Sequence, residues 1–192
     1  MQNTFVVHAL MLALASSFQT FARADSYQGS GAAGEKELAR EIKDDAARMS
    51  LAPHSIMVET ELMSALDQVR GLRAQVKTAK SQPSPDFVQH YRIHRQEIAE
   101  SVRSVRSHGG EIREHASRFP SVARTEQYKS LDPAILELER LAQQWDKQAS
   151  VGTYWNDFNR VTADLEQMER RLMTALEKAR SLNARLEVSE IG

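Results

Sequence analysis

From Val151 to Leu186 apolar residues recur at alternating intervals of three and four: Val151, Tyr154, Phe158, Val161, Leu165, Met168, Leu172, Ala175, Ala179, Leu182 and Leu186. One side of an α-helix returns to the same direction at this period, so the stretch from about Thr153 to Glu187 reads as a helix that must lie along another helix. Glu166, Glu169, Glu177 and Glu187 fall to one side of the seam and Arg160, Arg171, Lys178 and Arg185 to the other. Opposite flanking charges favour an antiparallel, coiled-coil-like neighbour. The rest of the chain therefore has to supply partner helices.

Composition agrees. With 8 Gly, 5 Pro and 6% aromatic residues in 192, there is little from which to build a β-sandwich or barrel. Leu38, Ile42, Ala46 and Met49 predict a helix that Pro53 ends. Val58, Leu62, Leu66, Val69, Leu72, Val76 and Ala79 predict a second, over about 55 to 79. "KSQPSP" (80 to 85) reads as a turn, with Pro85 placed to open the next helix. Asp132 is expected to cap a shorter helix with Pro133 at its first position, continuing through Ile135, Leu138, Ala142, Trp145 and Ala149. The heptad slips at "SVGT" (150 to 153), which favours a tight turn there over one unbroken helix. "PSVARTEQYKSL" (120 to 131) then becomes the longest connection. Trp145 and Tyr154 read as seam residues, with Trp155 covering the turn. The fold class is all-α: an elongated up-and-down helical bundle of four or five helices with coiled-coil-like heptad packing.

The third helix carries the histidines. Taking about 100° per residue, Phe87, Tyr91, Ile98, Val102, Val105, Ile112, Ala116 and Phe119 form one stripe, and His94 falls inside it. His90, His108 and His115 run along the edge of that stripe, provided that Gly109-Gly110 does not break the helix. Imidazoles at such spacing share a face and can chelate, but a structural zinc site takes four ligands and a catalytic one three. The row therefore needs carboxylates or a histidine from a neighbouring helix, and His54 is the one histidine of the expected mature chain outside this segment. Arg92, Arg95, Arg103, Arg106 and Arg113 occupy one flank of the same helix and Glu97, Glu100, Glu111 and Glu114 the other. The Arg flank is a docking strip for an anionic surface or, on the reading preferred here, the pairing partner of acids on a neighbouring helix, with the last helix offering the complement.

The N-terminus reads as an export signal. Phe5 to Ala15 is apolar but too short to cross a bilayer, and Ala22-Arg23-Ala24 places small residues before a cut at Ala24/Asp25. Residues 25–34 are a Gly/Ser-rich tether and 35–192 the helical domain. The expected location is the bacterial periplasm or beyond, with membrane contact only through the N-terminal segment before cleavage. Zero cysteines exclude disulfides, thiolate metal sites, c-type haem attachment and a lipid-modified Cys. Twenty-five basic against 26 acidic residues give no electrostatic case for nucleic acid.

No phosphate-binding glycine loop, nucleophile elbow or H-E-x-x-H is present, and Met57, Met63, Met168 and Met173 lack copper-site clustering and read as core. The functional expectation is an exported interaction or scaffold module without catalysis and without a cofactor. It binds a protein partner, or itself, through helical seams. The alternative is a metal- or haem-binding bundle using His90, His94, His108 and His115.

Overall fold

A computed structural model describes residues 32–81 and 87–187. The expected signal (1–24), most of the expected tether (25–31 of 25–34) and residues 82–85 of the turn expected over 80–85 lie outside the described residues, as do the side chains of Leu38, Phe87, His90 and Arg92; Lys80 and Ser81 belong to the first helix. The elements are α1 (Ala32–Ser81), α2 (Phe87–Ser117), the single-turn α3 (Pro120–Ala123), α4 (Glu126–Ala149), a 3-10 turn (Gly152–Asn156) and α5 (Phe158–Glu187). By compactness the chain divides into Met1–Ile42 and Lys43–Gly192. Of the first unit only the opening of α1 is described, three residues ahead of the expected start, and its Ile42 is exposed.

Four long helices pack in a ring, each antiparallel to the next. Ser50 meets His115, and Gln75 meets His94, which sets α1 against α2. Arg113 pairs with Asp132 and Arg95 with Asp146, which sets α2 against α4. Arg171 with Glu137 and Arg160 with Gln148 join α4 to α5, and Lys80 with Asn159 and Arg180 with Glu59 close α5 onto α1. The core is the shared seam: Leu51, Leu62, Leu72, Ile98, Ile112, Leu131, Ile135, Leu138, Leu165, Met168, Leu172 and Leu182 are fully buried. No strand occurs among the described residues. An all-α bundle is thus observed.

Several boundaries differ from expectation. Pro53 does not end a helix; α1 runs through it. Proline removes one backbone hydrogen bond and crowds the preceding turn, at about 3 kcal/mol. Here Leu51 and Val58, on either side of it, are both buried in the bundle, and their packing holds the turn. The stripe Ile42, Ala46, Met49 is not the packing face either, since Ala47 and Leu51 are buried and the predicted residues are exposed. Asp132 caps nothing. Thr125 is the N-cap of α4, accepting from the Tyr128 N–H at 3.3 Å, and Pro133 lies inside the helix. The supposed long connection is therefore mostly helix. The break at 150–157 is real, as the register slip implied, and α5 begins at Phe158. Trp155 does more than cover that turn: it is buried, stacked on Tyr91 at 3.6 Å between centroids, and its indole N–H donates to the Ala149 carbonyl. Of the four methionines read as core, only Met168 is buried; Met57, Met63 and Met173 are exposed.

Gly109-Gly110 leaves α2 unbroken. A Cβ on Gly109 would stand 2.9 Å from Cδ1 of Ile135, so the missing side chain is what lets α2 approach α4.

The ring contains an internal repeat. Aligning Val58 on Met168 matches Glu59, Leu62, Met63, Ala65, Leu66, Arg70, Leu72 and Ala74 with Glu169, Leu172, Met173, Ala175, Leu176, Arg180, Leu182 and Ala184. All the buried positions of α5, from Val161 to Leu186, fall on buried positions of α1, from Leu51 to Val76. The contacts repeat as well: Arg70 to Glu169 at 2.8 Å mirrors Arg180 to Glu59 at 2.9 Å, and Arg73 with Glu169 mirrors Asn183 with Glu59. α1 and α5 thus cross about a local two-fold axis. A shallow groove of about 300 Å³ lies on it, with Met63, Leu66 and Arg70 facing their counterparts Met173, Leu176 and Arg180.

Candidate functional site

Two features of the second unit have the makings of a site, a histidine cluster between α1 and α2 and an exposed apolar stripe along α1. The cluster forms because His108, Glu111 and His115 project from one side of α2 at intervals of three and four, and His54 faces them from α1. The rings of His54 and His115 are stacked with centroids 5.5 Å apart, and those of His54 and His108 are tilted at 5.6 Å. Nδ1 of His54 lies 3.4 Å from Nδ1 of His108. Nδ1 of His115 lies 3.1 Å from the Ser50 hydroxyl, and its Nε2 is 4.0 Å from a carboxylate oxygen of Glu111. Donor atoms of His54, Glu111 and His115 all lie within 4.8 Å of one another. Burial lowers the pKa of His54; Glu111 opposes that shift, and His108 and His115 add to it. The neutral imidazole, with a lone pair to offer, is the favoured form there.

The expected row is divided. His108 and His115 come together, and His54, which sequence spacing had left outside the row, completes their cluster. His94 is elsewhere: Gln68 Oε1 stands 2.6 Å from its Nδ1 and Gln75 Nε2 3.0 Å from its Nε2, so both ring nitrogens are engaged by α1. The side chain of His90 lies outside the described residues. The sequence left His54 as the one histidine outside the row but could not place it, because the contact joins residues 54 and 108 on separate helices.

The Arg flank is used internally. Arg95, Arg106 and Arg113 pair with Asp146, Glu139 and Asp132, acids spaced by sevens on α4 rather than on the last helix. Arg103 is exposed, and the side chain of Arg92 lies outside the described residues. With three of its members committed to the bundle, the flank is not a continuous docking strip.

The apolar stripe of α1 lies away from its core face. Ala46, Met49, Pro53, Ile56, Thr60 and Met63 alternate intervals of three and four and are all exposed, Met49 at 62% and Ile56 at 54%. α1 therefore carries a second heptad seam that faces out from Ala46 to Thr60 and runs at Met63 into the groove beside α5, where the Met63 sulfur lies 3.4 Å from the Arg180 guanidinium.

No known family, no curated protein and no solved structure matches the chain.

Proposed function

We propose that the protein is an exported, non-catalytic helical interaction module of the bacterial envelope, and that it associates with a second copy of itself through the outer seam of α1. The observation that carries this reading is the exposed stripe of Met49 and Ile56, one heptad apart, with Ala46 before them, Pro53 between them, and Thr60 and Met63 after them. Large apolar side chains one heptad apart make a ridge of the kind that another helix packs against in a coiled coil. Methionine adapts to irregular partner surfaces, which suits a contact made and released. A second copy is the natural occupant, because it brings the same uncharged ridge and because closed two-fold pairing satisfies both ridges at once. Export rests on the N-terminal pattern from Phe5 to Ala24.

Sedimentation of the chain from Asp25 across a concentration series tests the association. A concentration-dependent dimer that Met49→Glu with Ile56→Glu converts to monomer, with helicity retained, supports the reading. A monomer at every concentration refutes self-association, and a complex held by the same stripe with a different envelope protein would replace the second copy by that partner.

A further inference from the structure

Apart from the outer seam of α1, the cluster between α1 and α2 has the parts of a metal site. The geometry points to a three-ligand site for a divalent transition metal formed by His54, Glu111 and His115, with His108 and Ser50 orienting the two imidazoles. Three features of the chemistry agree. The first is the donor set. Two imidazole nitrogens and one carboxylate suit zinc, copper or nickel, whereas calcium and magnesium take oxygen ligands almost alone. The second is the outer partners. Histidines that bind a metal through one ring nitrogen are held at the other, and both histidines here have Nδ1 facing a neighbour: the Ser50 hydroxyl at 3.1 Å for His115 and the His108 ring at 3.4 Å for His54. Nε2 of His115 is then left facing Glu111.

The third is distance and access. Donors about 2.0–2.1 Å from a tetrahedral ion stand about 3.3 Å apart. One donor atom from each of His54, Glu111 and His115 already lies within 4.8 Å of the others, and the exposed Glu111 side chain can rotate toward an ion bound by the two imidazoles. Its exposure also opens the cluster to ions from solvent. Three protein ligands leave a fourth position for water, the arrangement of an exchangeable rather than a sealed site. His94 is no part of it, since two glutamines hold both of its nitrogens.

The test uses the untagged chain from Asp25, stripped with chelator and titrated with zinc alone by calorimetry and by competition with a chromogenic chelator. The expected result is one ion per chain, with affinity at least about tenfold weaker in each of His54→Gln, Glu111→Gln and His115→Gln, and unchanged in His94→Gln. Cobalt loading should give a visible absorption band that His54→Gln abolishes. Because Glu111 is exposed, Glu111→Gln reads the site with the fold intact, and circular dichroism verifies this for all variants. Absence of one-to-one zinc binding overturns the assignment, as does one-to-one binding that all three variants retain at full strength. Both results are independent of whether the chain self-associates, which separates this site from the reading of the α1 seam.

Discussion

Replacing Ser55 by Ala should make the protein more stable. Ser55 is the one described polar residue that is completely buried, and its hydroxyl has no hydrogen-bond partner. In the internal repeat its counterpart is Leu165, itself buried in the seam. An unsatisfied buried hydroxyl costs about 1–3 kcal/mol, and alanine is the better helix former by about 0.5 kcal/mol. Against this stand only the few dispersion contacts of one oxygen atom. The net gain is about 2 kcal/mol, which for a chain of this length is a rise in melting temperature of about 4–8 °C. Thermal and urea unfolding followed by circular dichroism would measure it, in chelator and at fixed protein concentration so that neither metal nor association shifts the curve. Ser50→Ala is the control: it removes the His115 contact rather than an orphan and should cost about 1 kcal/mol. A Ser55→Ala protein no more stable than the parent would refute the premise that this hydroxyl is buried without a partner.

Further outcomes follow from the same packing. Pro53→Ala restores a backbone donor within α1 and should raise stability by up to about 3 kcal/mol, read from the same unfolding curves. Gly109→Ala should push on Ile135, so its cost should shrink by about 0.5–1 kcal/mol in an Ile135→Val background, as a double-mutant cycle would show. The metal-free protein should lose stability on mild acidification. His54 has a folded pKa below its ordinary 6.5, so the unfolded chain takes up the proton first. The contribution is whole above about 6.5 and declines as pH falls from there through the lower folded value, and His54→Gln should flatten that part of the pH–stability profile. N-terminal sequencing of protein recovered from its host should begin at Asp25; an intact Met1 would refute cleavage.

Periodicity made much of this protein legible. The alternating threes and fours of 158–186 define α5 and its buried side, and the stripe of Tyr91, Ile98, Val102, Val105 and Ile112 is the buried side of α2. Both follow from a rule internal to a single helix. The same rule misled at α1, where Met49 belongs to one heptad and Leu51 to another. Both are compatible with a helix, and only the neighbouring helices decide which is covered. Local signals failed where packing outweighed them: Pro53 and Pro133 are breakers by propensity, yet each lies in a helix whose flanking residues are buried.

Charge pairing shows the same division. The sequence established that Arg95, Arg106 and Arg113 line one flank; it could not say that Asp146, Glu139 and Asp132 would meet them. Within single segments, then, periodicity establishes the helical state of the described residues, the faces of α2 and α5, and the side on which His108 and His115 lie. How the helices meet sets the rest: His54 joins His108 and His115 while Gln68 and Gln75 claim His94, and the outer stripe of α1 from Ala46 to Thr60 stays exposed. The physical reason is that a helical period is set by backbone geometry within one segment, whereas a site assembled from α1 and α2 depends on how two helices are placed against each other, and no local period encodes that.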